Sequence, residues 1–283
     1  MPVQKPAPHV AAVHDLSGMG RCALTIVLPV LSAMGSWCSP LLTAWLSAST
    51  IYPQSPHFAV RDLTDEMAET SAYWGEIGAR FDAVYSGFVG SERQIAVVED
   101  VIRSFRKADT LVVVDPVMGD RGVTYRTYTP DMCRRMKDLT ALADVITPNF
   151  TEAAILLNEP YSARPTDMAG LETWLKRLSL GGRRSVILTG VQPQEGKVGA
   201  ASFDRESGKV SLALADEVPA HFPGTGDLFT SVALGALLRG ESLEAASALA
   251  VDFVAECARF TLALGTPTEA GVQFESLLGR LIP

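Results

Sequence analysis

The sequence has little of what marks secreted, zinc-binding or membrane-spanning proteins. Its 283 residues include only four cysteines, which lie far apart and form no Cys-x-x-Cys pair. We therefore expect free thiols in a reducing compartment rather than a disulfide framework or a zinc site. The N-terminus lacks the apolar run of a signal peptide, and no stretch is long and apolar enough to span a membrane. These absences predict a cytoplasmic protein that does not bind membranes.

Positive charge is also scarce. The chain has 24 Lys and Arg residues against 32 Asp and Glu residues, which gives a formal net charge of -8 at pH 7. Proteins that bind a nucleic-acid backbone concentrate Lys and Arg, so we expect no nucleic-acid partner. A nucleotide is not excluded, because a local anion site and Mg²⁺ can hold one.

Linkers, internal repeats and low-complexity stretches are absent as well. We predict a short disordered arm over residues 1–8 and a single domain over residues 9–283, which is long enough to bury a large core. Within that domain apolar strands alternate with helices, and the strand at 111–114 contains no polar residue. Such runs are typical of parallel strands covered on both faces. The pattern predicts an α/β fold whose central sheet is mostly parallel, with helices on both faces and one antiparallel hairpin over 199–203 and 209–214.

A glycine-bracketed turn near the C-terminal end runs into an apolar helix, and its sequence is His221-Phe-Pro-Gly-Thr-Gly-Asp-Leu-Phe-Thr230. Gly224 and Gly226 allow a tight turn with uncovered backbone amides, and the helix start adds the positive end of its dipole. These features predict a binding site for an anion. Asp227 lies in that site and allows two interpretations. It is either a helix cap or a general base that deprotonates a hydroxyl during phosphoryl transfer.

Two familiar nucleotide-binding motifs are incomplete or missing. Gly18-Met-Gly-Arg-Cys-Ala23 fits the G-x-G-x-x-A pattern of dinucleotide-binding proteins, but no Asp or Glu lies between Leu16 and Arg61 to bind the ribose. No Walker-type G-x-x-x-x-G-K-[ST] loop occurs either. The sequence therefore disfavours both NAD binding and Walker-type phosphate binding.

Carboxylates near the predicted strand ends suit phosphoryl transfer without a Walker loop. Asp115, Asp120 and Glu152 can hold Mg²⁺ directly or through water, and Thr147 and Thr189 can help to hold a further cation. For Asp120 and Glu152, a role in a solvated loop or a helix cap is an equal alternative. A binding module without turnover, such as a nucleotide or vitamin sensor, is a further alternative. The carboxylate of the anion site argues against it, because a carboxylate weakens simple anion binding.

Three motifs, each after a predicted strand, make the sequence resemble a known family. They are Asp115-Pro-Val-Met-Gly-Asp120, Thr147-Pro-Asn-Phe-Thr-Glu152 and Gly224-Thr-Gly-Asp-Leu-Phe229. The chain resembles the ribokinase-like superfamily over nearly its whole length, and within it the vitamin kinases. Asp15-Leu-Ser-Gly-Met-Gly-Arg-Cys22 is most similar to the bacterial pyridoxamine and pyridoxal kinase branch, which has the hydroxymethylpyrimidine kinases as close kin.

The resemblance implies a ribokinase-like fold with a small flap over the site, usually in a homodimer. It implies ATP-dependent phosphorylation of the 5′-hydroxymethyl group of a B6 vitamer, with Mg²⁺ and a monovalent cation such as K⁺. Phosphorylation of hydroxymethylpyrimidine or its phosphate in thiamine synthesis is the alternative reaction. Asp227 would be the general base, and the backbone amides of Gly224, Thr225 and Gly226 would stabilise the transferred phosphoryl group.

The resemblance also implies which residues bind each ligand. The nucleotide would lie beside Asp115, Asn149, Glu152, Thr189, Thr225 and Gly226. Mg²⁺ would be held through Asp120 and Glu152, and the monovalent cation beside Asp115, Thr147 and Thr189. The vitamin would contact Asp15, Thr50, Phe88 and Asp227.

The chain departs from the branch at two places near the expected vitamin. Ser47-Ala-Ser-Thr50 stands where the branch usually has Ser-Asn-His-Thr, and Phe88 stands where several pyridoxal kinases have Tyr. Each change removes polar groups that would contact the substrate. The preferred vitamer therefore does not follow from the sequence.

Overall fold

The computed structural model describes residues 6–283, and residues 1–5 of the predicted arm lie outside the described residues. The strands are β1 (His9–Ser17), β2 (Trp37–Leu46), β3 (Val60–Asp62), β4 (Ala83–Ser86), β5 (Leu111–Val114), β6 (Gly119–Asp120), β7 (Val123–Thr124), β8 (Val145–Ile146), β9 (Ser185–Val191), β10 (Lys197–Phe203) and β11 (Val210–Asp216). The α-helices are α1 (Leu24–Ala33), α2 (Thr64–Glu76), α3 (Glu92–Phe105), α4 (Pro130–Thr140), α5 (Phe150–Leu157), α6 (Met168–Leu178), α7 (Thr225–Leu238) and α8 (Leu243–Leu264). Short 3₁₀ segments cover Tyr161–Ala163, Thr268–Ala270 and Glu275–Leu281.

Nine strands form one sheet in the order β11-β10-β9-β8-β5-β4-β1-β2-β3, while β6 and β7 form a separate hairpin. The neighbours from β9 to β2 are parallel, and the outer pairs on both sides are antiparallel. Helices α2 to α6 cover one face of the sheet, and α1, α7 and α8 cover the other. The predicted α/β fold with a mostly parallel central sheet is thereby confirmed.

The central strands supply side chains to two separate cores. Val112 and Val114 pack on the side of α2 to α6, whereas Val113 packs on the side of α1, α7 and α8. Successive side chains of a strand point to opposite faces, so a strand covered on both faces needs an apolar residue at every position. This explains the uninterrupted apolar run of β5.

Several strands of the sheet are irregular or short. β1 continues to Ser17 through an irregularity between His14 and Leu16. β2 is continuous through Pro40, which pairs with Ala12 of β1. In the described part of the chain no strand pairs with Pro40 on its other side, and proline is tolerated at such a position. The connection from β2 to α2 contains β3, and the connection from β5 to α4 contains the hairpin of β6 and β7.

The carboxyl ends of β5, β8 and β9 lie side by side, next to the start of α7. In open α/β sheets this edge is where ligands bind. Within residues 6–283, no helix combines the length and apolar character needed to cross a membrane.

Candidate active site

A cleft of about 650 Å³ opens where β5, β8 and β9 end and α7 begins. It contains most of the predicted site residues. The lining includes Asp115, Asp120, Thr147, Asn149, Glu152, Thr189, Gly224, Thr225, Gly226 and Asp227. Residues from three separate motifs thus meet in one cleft, as expected for strand ends along one edge of a sheet.

The turn into α7 requires glycine at its first position. Gly224 is the N-cap residue with a φ of 82°. An added Cβ would lie 2.3 Å from the carbonyl oxygen of Arg21 and 2.6 Å from Cδ1 of Ile26. Both the left-handed backbone and the close approach exclude a larger residue. A Cβ on Gly226 would instead meet nothing within 4 Å, and Gly226 is exposed to the cleft.

The first turn of α7 offers an unoccupied set of donors. Among the described residues, no acceptor receives the backbone N–H groups of residues 224–227. The side-chain hydroxyl of Thr225 does not cover them, because it donates to the carbonyl of Phe222 at 3.2 Å. Free N–H groups at a helix start, with the helix dipole behind them, form an anion site.

Asp227 does not cap α7, so the simple capping interpretation is wrong. It is the third residue of the helix, and the N-cap residue Gly224 makes no side-chain cap bond. Oδ2 of Asp227 instead accepts the backbone N–H of Ala23 at 2.8 Å. Ala23 has a φ of 46°, which is rare for a residue with a side chain. This contact fixes the carboxylate at the edge of the anion site.

Buried acidic groups are concentrated in the cleft. Burial raises the pKa of Asp227 to about 6, and the hydrogen bond from Ala23 opposes that shift. Burial and then the charge of Asp227 raise the pKa of Asp115 well above its ordinary range. Burial and then the charge of Asp115 do the same to the pKa of Glu152. Such crowding of carboxyl groups is relieved when a cation binds among them.

Asn149 and Glu152 form the capping box of α5. The side-chain oxygen of Asn149 accepts the N–H groups of Thr151 and Glu152, and Oε2 of Glu152 accepts the N–H of Asn149 at 2.8 Å. Oε1 of Glu152 accepts the N–H of Met118 at 3.2 Å. The helix-cap alternative is therefore present in the structure. Each carboxylate oxygen of Glu152 already accepts a backbone hydrogen bond. This favours contact between Glu152 and a metal ion through a water molecule rather than by direct ligation.

The oxygen-rich lining fits Mg²⁺ better than a transition metal. Over residues 6–283, no group of three or more His, Cys, Asp or Glu side chains is arranged to hold a metal ion. That arrangement is compatible with Mg²⁺, which keeps several waters and binds largely through substrate phosphates. Asp120 is the most accessible candidate, since its side chain is 37% exposed.

A second set of oxygens lies deeper in the cleft. Thr147 is buried, and its hydroxyl accepts a hydrogen bond from the hydroxyl of Thr230 at 3.0 Å. A hydrogen bond from Thr147 lowers the pKa of Asp115, against the larger effect of burial. Thr189 lies at the neighbouring strand, where its N–H donates to the carbonyl of Pro148 at 2.9 Å. These oxygens belong to the residues predicted to surround the monovalent cation.

Apart from Asp227, the predicted vitamin-binding residues lie outside the lining of the cleft. Asp15 is buried at the end of β1, and its pKa is raised to about 7 by burial and then by the charge of Asp227. Asp15 is therefore close to Asp227. Thr50 is exposed on the loop between β2 and β3. Phe88 packs edge-on to Tyr128, with ring centroids 6.4 Å apart. The structure thus brings Asp15 toward the base but leaves the roles of Thr50 and Phe88 as predictions.

Ala23 is the residue that sequence reasoning missed. Its contribution is a backbone N–H, so the side chain carries no signal of the role. Its positive φ also explains why α1 begins at Leu24. The Gly18-to-Ala23 motif coincides with this turn.

Comparison with known proteins places this fold among the ribokinase-like kinases. The chain belongs to the phosphomethylpyrimidine kinase family, because the family model of that description matches residues 44–271. The resemblance inferred from the three motifs is thereby confirmed.

Solved structures with high similarity cover the whole fold. A Bacteroides thetaiotaomicron protein that carries the name phosphomethylpyrimidine kinase is 42% identical, with a TM-score of 0.92 over 100% of this chain and 97% of that chain. An orthorhombic crystal form under the same name was solved with pyridoxal. Pyridoxal kinase from Lactobacillus plantarum is 33% identical, with a TM-score of 0.88 over 97% of this chain and 96% of that chain.

The match to two curated relatives is shorter. The chain spans 64% of a Deinococcus radiodurans pyridoxal kinase, at 30% identity over 65% of this chain. It spans 46% of a Schizosaccharomyces pombe relative, at 31% identity over 56% of this chain. The activity of these proteins is therefore carried to this chain only as a proposal.

Replacing the two glycines of the turn with alanine should lower the stability of the protein to very different extents. We expect Gly224→Ala to lower the free energy of unfolding by about 2–4 kcal/mol, because it combines an unfavourable φ with a clash against backbone. Gly226→Ala should change stability by less than about 1 kcal/mol, since the added methyl group meets open space. Urea unfolding followed by circular dichroism measures both. Equal destabilisation by the two substitutions would contradict this geometry.

The acidic cluster should make the ligand-free protein less stable as pH rises. The folded pKa values of Asp15 and Asp227, about 7 and about 6, lie above the ordinary value of 3.8. The stabilisation is therefore complete below that ordinary value and is lost as pH rises through the folded values. We expect the free energy of unfolding to fall between pH 5 and pH 8.

Asp15→Asn should make the fall in the free energy of unfolding between pH 5 and pH 8 smaller. The matched control is Asp100→Asn, which changes an exposed carboxylate of α3 and should keep the wild-type slope. Denaturant unfolding at pH 5, 6, 7 and 8 gives the slope for each protein. The account of the cluster is wrong if the two variants and the wild type decline alike.

Proposed function

We propose that the protein transfers the γ-phosphoryl group of ATP to the 5′-hydroxymethyl group of a B6 vitamer, such as pyridoxal, pyridoxamine or pyridoxine. The observation that carries the proposal is the position of the Asp227 carboxylate. It lies at the open first turn of α7, beside free N–H groups, and is fixed by the N–H of Ala23. A hydroxyl at this carboxylate would therefore face a phosphoryl group held by the turn.

The chemistry follows from that placement. Oδ2 of Asp227 is engaged by Ala23, so Oδ1 is the oxygen that takes the proton of the hydroxymethyl group. The hydroxyl oxygen then forms its bond to the γ-phosphorus while the bond to the β,γ-bridging oxygen breaks and ADP leaves. A base with a pKa of about 6 is ionised at neutral pH yet still basic enough to accept a proton.

The turn would stabilise the charge of the transferred group. The backbone amides of Gly224, Thr225 and Gly226 are preorganised donors, so no reorganisation is needed when charge develops on the phosphoryl oxygens. The absence of a side chain at Gly226 leaves room for that group. Thr225 contributes through its backbone, because its hydroxyl is already bonded within the turn.

Mg²⁺ and a monovalent cation such as K⁺ are part of the proposal. When bound, Mg²⁺ neutralises the phosphate oxygens and orients them for in-line transfer. Asp120 and, through water, Glu152 would hold Mg²⁺. Asp115, Thr147 and Thr189 would supply oxygens to the monovalent cation, which is supported by the raised pKa of Asp115 and its contact with Thr147.

The two substrates would approach from different sides of Asp227. The nucleotide phosphates would lie in the cleft beside Asp115, Asn149, Glu152 and Thr189, all of which line it. The vitamin would lie on the side of Asp15, which is close to Asp227. Thr50 and Phe88 are proposed vitamin contacts, which requires the vitamin to reach beyond the cleft lining.

A phosphomethylpyrimidine kinase reaction is the second candidate. The matched family model and the name of the 42% identical Bacteroides thetaiotaomicron protein favour it. The form of that protein with pyridoxal and the 33% identical Lactobacillus plantarum pyridoxal kinase favour a B6 vitamer. Both reactions phosphorylate a hydroxymethyl group on a heteroaromatic ring, so the same base and anion site serve either.

We also propose a single kinase domain over residues 9–283 that works as a cytoplasmic homodimer. One nine-stranded sheet running through the chain supports the single domain. Four unpaired cysteines and the need for ATP support a cytoplasmic location. Exposed Trp45 on β2 and exposed Val60 on the neighbouring edge strand β3 support a second subunit at that edge.

Parallel assays distinguish the candidate functions. Purified protein with ATP and Mg²⁺ is given pyridoxal, pyridoxamine, pyridoxine or hydroxymethylpyrimidine, and the phosphorylated products are quantified. We expect turnover of at least one B6 vitamer. Phosphorylation of the pyrimidine alone would replace the first candidate by the second, and tight binding without turnover would identify a sensor.

Asp227→Asn tests the proposed base. We expect kcat to fall by at least about 10²-fold, the usual effect of losing a positioned base. ATP affinity should remain nearly unchanged, because the amide oxygen still accepts the N–H of Ala23 and the turn is preserved. Steady-state kinetics and calorimetric ATP titration measure the two quantities. Full turnover by a folded Asp227→Asn variant would show that Asp227 is not the general base.

A further inference from the structure

The cleft is strongly unbalanced in charge. Its lining contains six carboxyl side chains, which are Asp115, Asp120, Glu152, Asp216, Glu217 and Asp227. Among the described residues that line it, Arg121 is the only Lys or Arg. A polyphosphate needs positive charge in such a cleft beyond that of Mg²⁺ and a helix start.

Arg121 occupies a strained backbone position at the cleft. It follows β6 and forms, with Gly122, the two-residue turn into β7. Its φ is 51° and that of Gly122 is 81°. Two-residue hairpin turns of this kind favour Asn or Gly, and an arginine there has no intrinsic advantage for folding. Backbone strain of this type is concentrated at functional sites.

The turn itself is held firmly in place. The N–H of Gly122 donates to the hydroxyl of Thr151 at 2.8 Å, which ties the turn to the first turn of α5. The N–H of Arg121 donates to Oδ1 of Asp120 at 2.8 Å. Gly122 also packs against Tyr161 so closely that an added Cβ would lie 2.8 Å from the ring. The backbone that carries Arg121 is therefore well defined.

The guanidinium group, by contrast, is uncommitted. Its closest acidic contact is Oδ2 of Asp120 at 3.9 Å, and the side chain is 68% exposed. Arg106 and Arg205, by contrast, each form a close ion pair with Asp144, at 2.6 Å and 2.7 Å. An arginine that forms no tight ion pair in the described part of the chain can bind an incoming anion without first breaking one.

The position of Arg121 relative to α7 identifies which part of a nucleotide it would meet. Nε2 of His221 lies 3.7 Å from Oδ2 of Asp120, and His221 precedes the Gly224 turn by three residues. The pKa of His221 is lowered by burial and then by the charge of Arg121. Arg121 therefore lies in the cleft near the segment that leads into the Gly224 turn, beside the proposed Mg²⁺ ligand Asp120.

We infer that Arg121 binds the terminal phosphates of the nucleotide and supplies the one basic side chain among the described residues that line the acidic cleft. This inference rests on the proposed function. The planar guanidinium fork matches phosphate oxygens, so it can bridge two of them. It binds and orients the nucleotide, while proton removal remains with Asp227.

Three substitutions separate charge from backbone strain. Arg121→Ala removes the cation. Arg121→Gly removes it and also relieves the positive φ, so it should be at least as stable as the wild type. Arg121→Lys retains charge but loses the two-pronged geometry. The matched control is Arg126→Ala, which removes an exposed arginine from the same loop that does not line the cleft.

Calorimetric binding of ATP, ADP and AMP, followed by steady-state kinetics with pyridoxal, tests the inference. We expect Arg121→Ala and Arg121→Gly to weaken ATP binding and raise the KM for ATP by at least about tenfold, the loss of one charge-assisted hydrogen bond. AMP affinity and the KM for the vitamin should change less than about twofold. Arg121→Lys should be intermediate, and Arg126→Ala should match the wild type.

The outcomes distinguish this inference from the proposed function. If the wild type binds ATP and turns over but the Arg121 variants bind ATP like Arg126→Ala, the inference is wrong and the proposed function stands. If AMP binding falls as much as ATP binding, Arg121 does not act on the terminal phosphates. If the wild type binds no nucleotide at all, both are wrong.

Discussion

The hydrogen bond from the N–H of Ala23 to the carboxylate of Asp227 joins the starts of two helices on the same face of the sheet. α1 cannot begin before Leu24 because Ala23 adopts a positive φ to present its N–H. α7 is held against the same segment, since Gly224 approaches the carbonyl of Arg21 too closely for any side chain. The position of the proposed base and the shape of the anion site therefore depend on one local contact between distant parts of the chain.

The crowding of carboxyl groups in the cleft is a second constraint on its chemistry. Asp115 and Glu152 are buried, Asp227 lies half-buried near Asp115, and the pKa of each of the three is raised. An empty cleft of this kind stores unfavourable charge interactions that cations and the free N–H groups of α7 can offset. This crowding supports the proposal that the nucleotide arrives together with its metal, since the carboxyl groups alone would repel a bare anion.

The fold was largely predictable because its strongest signals are local. β5 matches the predicted bounds, since an apolar run between turn residues has few alternatives. The edge strand β3 was not predictable, because its three exposed residues carry no apolar pattern. In the site, Gly224 and Asp227 were identifiable from their spacing, but the partner of Asp227 was not. A backbone donor such as Ala23 depends on a dihedral angle that its side chain does not encode. The roles of Thr50 and Phe88 stay predictions that rest on resemblance alone, and neither residue lines the cleft.

We propose that Asp227 faces the acceptor hydroxyl while the backbone N–H groups of residues 224–226 hold the phosphoryl group. The most direct measurement is a crystal structure of the protein with pyridoxal, Mg²⁺ and a non-hydrolysable ATP analogue. The account predicts the hydroxymethyl oxygen at hydrogen-bond distance from Oδ1 of Asp227, about 2.6–3.2 Å. It predicts the γ-phosphate on the N–H groups of residues 224–226. A γ-phosphate bound away from these groups, or a hydroxymethyl group turned away from Asp227, would contradict it.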